Sequence, residues 1–307
     1  MNLFTIVLNA LMAINRMFTM LSRAAASSAR VLEVLDTPVE LYETEPHYSF
    51  LPENAPHIAF RDVTFRYDRG SFTVRGLNFT LQRGETLGII GATGAGKSTI
   101  VRALMRYYDV KSGAIEIDGV DIRDYATTDL RAKFGVVFQN DTLFKDTIRE
   151  NIRLGRSLSD EELLEAARRA QALDFIQAQG GLDAPVAIKG ANLSGGQKQR
   201  LLIARALAGS PEILVLDDSS SALDYKTDAR LREEIRLHYA SATKIIVAQR
   251  VSSIMHAEKI LVMENGRVIG MGTHDELMET CPLYREIGDS QIGDRRPESV
   301  GGEGVLA

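Results

Sequence analysis

Gly91-Ala92-Thr93-Gly94-Ala95-Gly96-Lys97-Ser98 is the stretch around which the rest of the chain is organised. It has the spacing G-x-x-x-x-G-K-[ST]. It follows a short apolar run at 86–90 that reads as a strand, and it precedes a helical run at 98–107. In that setting Gly91, Gly94 and Gly96 let backbone N–H groups curl around phosphate oxygens, and the helix N-terminus adds a favourable dipole. Lys97 can bridge the β- and γ-phosphates of a nucleotide, and the Ser98 hydroxyl can bind Mg²⁺. Thr93, Ala95 and Thr99 complete the phosphate-binding set. The bland alternative, a Gly-rich turn, does not account for the strand and helix flanks.

A second motif lies downstream. Ile213-Leu214-Val215-Leu216-Asp217 is an apolar strand ending in a carboxylate, and beside the phosphate loop such an Asp would hold Mg²⁺ directly or through water. Alone it is weak, because many strands end in Asp. Further short apolar runs at 136–138, 245–248 and 260–263 suit strands of a sheet covered on both faces. Runs at 58–67 and 77–81 alternate like strands near the N-terminal side. Asn265-Gly266 marks a tight hairpin, and Thr273 with Glu276 forms a capping box. Between 140 and 210 the pattern is helical, at 147–154, 160–170 and 197–208, which reads as a helical insertion into an α/β core.

The chain has 307 residues, 45% of them hydrophobic and 25% charged, as in an ordinary globular protein. A mean hydropathy of −0.08 argues against a chain made of many membrane spans. A net charge of −5 argues against a nucleic-acid partner, which calls for a Lys/Arg surplus. Cys281 is the single cysteine and reads as a small core residue. Residues 1–36 contain neither Gly nor Pro and would make one helix about 54 Å long. Its first part is apolar but is interrupted by Thr5, Asn9, Asn15, Arg16 and Thr19, so the pattern admits both a membrane helix and an amphipathic soluble one. Arg16, Arg23 and Arg30 recur every seven residues, and no basic residue precedes them. In a membrane this puts the C-terminal side in the cytoplasm, and it fits a signal peptide poorly. Four of the eight prolines fall in 37–57, an expected linker, and 290–307 reads as a disordered tail.

With these pieces in place, Leu193-Ser194-Gly195-Gly196-Gln197 is the decisive one, because it resembles the signature motif of ATP-binding-cassette (ABC) transporters. The resemblance covers about 58–289 and implies two such domains sandwiching two ATP molecules head to tail. Ser194, Gly195, Gly196 and Gln197 would then serve the partner's ATP. Tyr67 falls where an aromatic ring stacks on adenine, and Gln139 where the family senses Mg²⁺ and the transmembrane partner. Ser221-Ala222-Leu223-Asp224 is similar to the D-loop. Phe138-Gln139-Asn140-Asp141-Thr142-Leu143-Phe144, the run 147–152 and Gly272-Thr273-His274-Asp275-Glu276-Leu277 resemble the multidrug or lipid exporter pattern. His274 is accordingly expected to start a helix, not to ligate a metal. Residues 25–36 resemble the end of an exporter's last transmembrane helix, which favours the membrane reading of 1–36.

Three positions depart from the pattern. Asp218 stands where the resemblance implies a catalytic glutamate, Gln249 where it implies a histidine near the γ-phosphate, and Ile188 where exporters place a glutamate before the signature. Aspartate is one methylene shorter, which withdraws the carboxylate by about 1–1.5 Å from the attacking water, and misplacement on that scale can cost about 10²-fold in rate. Glutamine donates a hydrogen bond but carries no positive charge. Asp218 and Gln249 both serve the chain's own ATP site, whereas the signature that serves the opposite site is intact. This one-sided change is what the degenerate half of a heterodimeric exporter would show; neutral drift with hydrolysis intact is the alternative.

The expected fold is α/β: a P-loop NTPase core with an antiparallel β subdomain and an inserted helical subdomain, preceded by a long N-terminal helix. The expected function is MgATP binding that drives transmembrane export. Asp218, Gln249 and Gln139 are the candidate catalytic residues, and Ser98, Gln139 and Asp217 the candidate Mg²⁺ ligands. Expected partners are a second half-transporter and transmembrane domains at the cell membrane, with the ATP site on the cytoplasmic side. The rivals are an importer's separate ATPase subunit, a non-hydrolysing ATP-gated module, and a soluble ATPase acting on DNA or ribosomes. At 307 residues the chain is too long for the cassette alone and about half of an exporter half, which suits a fragment of a longer protein, with a stand-alone subunit or a truncated gene as the alternatives.

Overall fold

With no Gly or Pro before Pro38, nothing interrupts the helical ladder at the start of the chain. In the computed structural model, which describes residues 2–37, 41, 54–67, 73–219 and 222–293, α1 spans Leu3–Leu35. Most of the linker expected over 37–57, Ser221 and most of the tail expected over 290–307 lie outside the described residues. The chain divides into two units, Met1–Tyr42 and Glu43–Ala307. In the first unit the α1 side chains are exposed throughout, Leu3, Phe4, Leu11 and Phe18 among them. α1 is long and apolar enough to cross a membrane.

The second unit begins with β1 (Ile58–Arg66), β2 (Thr73–Leu81), β3 (Thr86–Gly91), α2 (Lys97–Leu104), β4 (Ser112–Ile117), β5 (Val120–Asp121), α3 (Thr127–Ala132) and β6 (Phe134–Val137). The helical stretch follows, with β7 (Asp146–Thr147), α4 (Ile148–Arg153), α5 (Asp160–Arg169), α6 (Leu173–Ala178), β8 (Pro185–Val186) and α7 (Gly195–Leu207). The chain then returns through β9 (Ile213–Asp217), α8 (Tyr225–His238), β10 (Thr243–Val247), β11 (Lys259–Glu264), β12 (Arg267–Gly272), α9 (His274–Thr280) and α10 (Pro282–Gly293). The helix α10 continues past 289, the residue at which the tail was expected to begin.

The strands form an antiparallel sheet of order β2-β1-β4-β5 and a mixed sheet of order β12-β11-β3-β10-β9-β6, while β7 and β8 pair as a small ladder. In the mixed sheet β11, β3, β10, β9 and β6 are parallel and β12 is an antiparallel edge. The first four residues of β9 show why this run is continuously apolar. Ile213 and Val215 enter the core shared with the antiparallel sheet, while Leu214 and Leu216 enter the core of the helical insertion. A strand covered on both faces has no side left for polar residues. The Asn265–Gly266 turn joins β11 to β12 with both residues at positive φ (49° and 76°), the two-residue hairpin geometry expected.

The helical insertion packs small residues closely: Ala166 and Ala167 of α5 and Ala204 and Ala206 of α7 are all buried in its core, and the two helices are in contact. α6 was not expected from the sequence. It is short, and its N-cap, Ala172, makes no side-chain capping bond. The buried Arg205 ties α7 to the chain after β6, donating to Asn151 O at 2.7 Å, Asn151 Oδ1 at 3.1 Å and Thr142 O at 3.1 Å. Parallel strands bring their carboxyl ends to one edge: Val247 lies opposite Asp217 and Ile89, at the point where β3 runs into the loop before α2.

Candidate phosphate-binding site

A cavity of about 370 Å³ opens at that edge. Its lining includes Tyr67, Thr93, Gly94, Gly96, Lys97, Ser98, Thr99, Gln139, Asp217, Asp218 and Gln249, all expected site residues. Their contributing segments, from 67 to 249, meet because β3, β9 and β10 are neighbours in the sheet. Gly91 and Ala95 do not line it. A Cβ on Gly91 would sit 2.1 Å from Met263 O, so only glycine lets β3 pass β11 this closely into the loop. Gly96 caps α2 at φ 107°, a left-handed geometry that leads the chain from the loop into the helix.

Lys97 Nζ donates to Gly91 O at 2.8 Å and Ala92 O at 3.0 Å, which holds the ammonium within the loop it is to serve. Burial pushes its pKa below the ordinary lysine value, and the nearby Asp217 and Asp218 carboxylates oppose that shift. Asp217, only 3% exposed, has its pKa raised by burial, with further upward pressure from Asp218. A hydrogen bond from Ser98 and the charges of Lys97 and Arg102 pull it down. A buried carboxylate hydrogen-bonded to a serine hydroxyl at the head of a helix is a hard oxygen donor set that fits Mg²⁺.

Asp218 follows at φ 52°, a left-handed backbone that aspartate tolerates better than most residues. Its N–H donates to Val247 O at 2.9 Å. Its Oδ2 accepts from Gln249 Nε2 at 2.7 Å and from Gln139 Nε2 at 3.4 Å. Two of the three positions that depart from the family pattern, Asp218 and Gln249, therefore touch each other, and Gln139 donates to the same carboxylate oxygen. Tyr67 stands at the cavity's side, edge-on to Phe65 at 4.8 Å and to Tyr108 at 5.3 Å. Its hydroxyl lies 3.4 Å from Thr99 Oγ1 and accepts from Arg102 at 3.4 Å. Arg102 also lines the cavity and was missed in the sequence; its position four residues after Ser98, on the same helical face, is the signal that could have found it.

The signature residues lie elsewhere. Ser194 caps α7, accepting from Gln197 N while Gln197 Oε1 accepts from Ser194 N, and none of Ser194, Gly195, Gly196 and Gln197 lines the cavity. Asp224 caps α8. The hydroxyl and N–H of Thr227 bond to its carboxylate and hold its pKa below the usual range. Ile188 is 65% exposed in a short 3₁₀ turn, an apolar side chain on the outside of the helical insertion. His274 begins α9 and shares a hydrogen bond with Tyr284 Oη at 2.9 Å, and Cys281 is buried in the core beside them, both as expected.

Residues 74–221 match the family model described as ABC transporter. The chain is 41% identical over 272 residues to YgaD of Bacillus subtilis strain 168, a putative multidrug export ATP-binding/permease protein, covering 88% of this chain and 47% of that protein. It is 38% identical over 295 residues to an uncharacterized ABC transporter ATP-binding protein of Mycobacterium tuberculosis strain H37Rv, covering 94% and 50%. Among solved structures it is similar to a bacterial Atm1-family ABC exporter with ATP bound, with a TM-score of 0.80 at 38% identity over 90% of this chain and 49% of that one. The chain spans about half the length of the curated relatives it matches.

Proposed function

We propose, from the premise that this chain carries an ABC transporter nucleotide-binding domain, that it is the ATP-binding part of a membrane exporter whose own site turns over slowly. In this reading the backbone of the 91–96 loop, with Lys97, Ser98 and Thr99, binds the phosphates. Tyr67 stacks on the adenine, with Arg102 beside it. Ser98, Asp217 and Gln139 would hold Mg²⁺, which when bound neutralises charge on the β- and γ-phosphates. Asp218 is the candidate base for the attacking water, and Gln249 the candidate donor near the γ-phosphate.

The observation that carries the slow-turnover reading is the hydrogen bond from Gln249 to Asp218. The amide occupies Asp218 Oδ2 at 2.7 Å, so the carboxylate is directed toward Gln249 instead of toward a water. The shorter side chain adds to this. The signature at the start of α7 keeps its full capping geometry, and it would complete the ATP site of a partner half-transporter carrying glutamate and histidine at these positions. The apolar α1 and the exporter-like relatives support a membrane location with the ATP site on the cytoplasmic side, and they favour this reading over an importer subunit.

The test is MgATP binding and phosphate release by the purified chain, before and after Asp218→Glu with Gln249→His. Tight binding with slow turnover that the double variant raises is the expected result. Brisk turnover by the unmodified chain would overturn the slow-site reading, and the absence of MgATP binding would overturn the function itself.

A further inference from the structure

We infer that Gln291, at the far end of the chain's last described helix, is a positioning residue for the Gln249–Asp218 pair; the inference rests on the functional reading above. Gln291 Nε2 donates to Gln249 O at 2.8 Å, and Gln291 Oε1 accepts from Val251 N at 2.9 Å. Arg250 between them is extended, with φ −108° and ψ 129°. In an extended residue the preceding carbonyl and the following N–H face the same side. One amide side chain can therefore pair with both, as a neighbouring strand would.

This pairing falls where the loop needs it. On the near side, Ala248 N donates to Ile89 O at 3.0 Å and Val247 O accepts from Asp218 N at 2.9 Å, so the main chain is held by β3 and β9 up to residue 248. Beyond that point it has left β10. Gln291 pins the next two peptide groups, and between the two anchors the Gln249 side chain extends to Asp218 Oδ2. The main-chain path that sets where the Gln249 amide points is thus fixed partly by a residue 42 positions away in sequence.

The helix that carries Gln291 is itself well anchored. Tyr284 on α10 is fully buried in one core with Val251 and Ile254, which belong to the segment being held. Arg285 donates to Met278 O and Glu279 O at 2.7 Å each, which ties α10 to α9. Packing under the loop and the amide clamp above it therefore come from the same element. Displacing α10 would release Gln249 without touching the phosphate loop.

The experiment uses the full chain in detergent and compares wild type with Gln291→Met, which keeps length and packing but removes both bonds, and with Gln291→Glu, which keeps only the acceptor for Val251. Hydrogen exchange at 249–251 and single-turnover MgATP hydrolysis are measured. The Met variant is expected to exchange about tenfold faster at Val251, and to hydrolyse at a rate changed by about threefold or more, with MgATP affinity within about twofold of wild type. The Glu variant should protect Val251 but still alter turnover. In a Gln249→Ala background, Gln291→Met should change turnover by less than about twofold, because its route to the site is gone. Faster exchange with unchanged turnover would overturn the positioning role, and unchanged exchange would overturn the clamp itself. Because exchange is read without nucleotide, a wild-type chain that fails to bind MgATP would sink the functional reading while leaving the clamp decided on its own measurement.

Discussion

Gln249 and Asp218 are joined twice over, once directly and once through the main chain just before Gln249. The Gln249 amide donates to Asp218 Oδ2 at 2.7 Å, and the Asp218 N–H donates to Val247 O two residues before Gln249. The ends of β9 and β10 are locked together at the mouth of the cavity, so these two residues respond to mutation as a pair.

Replacing Asp218 with Glu and Gln249 with His together is expected to raise turnover on the order of 10²-fold, the scale set by recovering about an ångström of reach. Affinity for MgATP should stay within about threefold, because the phosphate loop is untouched. Steady-state phosphate release with the nucleotide Kd measured alongside decides it, and a double variant no faster than either single one would mean the two positions do not act together.

Lys97→Ala should weaken MgATP binding on the order of 10²-fold, through loss of charge-assisted bonds to phosphate. Burial lowers the Lys97 pKa, so in the free chain the ammonium is lost at a pH below the ordinary lysine range. Nucleotide affinity is therefore expected to decline as pH rises, starting earlier than a normal lysine would dictate, and the decline should vanish in Lys97→Ala. Titration calorimetry from pH 7 to alkaline conditions measures both.

Asp217 carries a stability cost. Burial raises its folded-state pKa above the unfolded value, so the native state binds its proton more tightly and the carboxylate form is disfavoured at neutral pH. That cost diminishes as pH falls through the raised folded-state pKa and is gone below the unfolded value. Asp217→Asn should thus melt a few degrees higher than wild type without Mg²⁺ at neutral pH, with the gap closing in acid. The same variant should lose the Mg²⁺ dependence of ATP binding. Thermal melts with and without Mg²⁺ check the pair of outcomes, and an Asn variant that melts lower would contradict the assignment of burial as the dominant influence.

Arg205→Ala removes the donor to Asn151 O, Asn151 Oδ1 and Thr142 O; Asn151 Oδ1 keeps the Phe144 N–H at 2.9 Å, so the cost falls mainly on the buried Asn151 carbonyl and on the lost guanidinium packing. A loss of about 3 kcal/mol in urea unfolding is expected. Arg205→Lys should recover only part of it, because a single ammonium does not reproduce the guanidinium fork. Full recovery by lysine would show that the charge alone matters there.

The elements that were legible in the sequence share one property: their physics is local. The phosphate loop is specified by glycines at fixed offsets, the β11–β12 hairpin by adjacent Asn265 and Gly266, and the α9 cap by Thr273 and Glu276 one turn apart. The continuously apolar 213–216 announced a strand covered on both faces, which the two cores on either side of β9 explain. Where the signal was weak, reading failed. α6 has no polar cap, and β7 and β8 are two residues each and pair only because the insertion brings them together. Arg102 has no motif of its own, and its place in the cavity depends on the Tyr67 hydroxyl reaching α2 from the end of β1.

By itself the sequence determined that this chain has a glycine-rich loop with phosphate-loop spacing, a carboxylate at the end of an apolar strand and a helix opened by a Ser-Gly-Gly turn, while the pairing of Asp218 with Gln249 at one site was only implied by the family resemblance. Each of the first three follows from neighbours within a few residues, where helix and strand periodicity and turn chemistry act directly. Only the tertiary structure decided that Asp218 and Gln249 bond to each other, that Gln139 joins them, and that Gln291 holds the loop between. Those contacts span 31, 79 and 42 positions, and they depend on which strands become neighbours in the sheet and how the last helix docks. Strand order and helix docking arise from burial summed over the whole core, which no short stretch of sequence encodes.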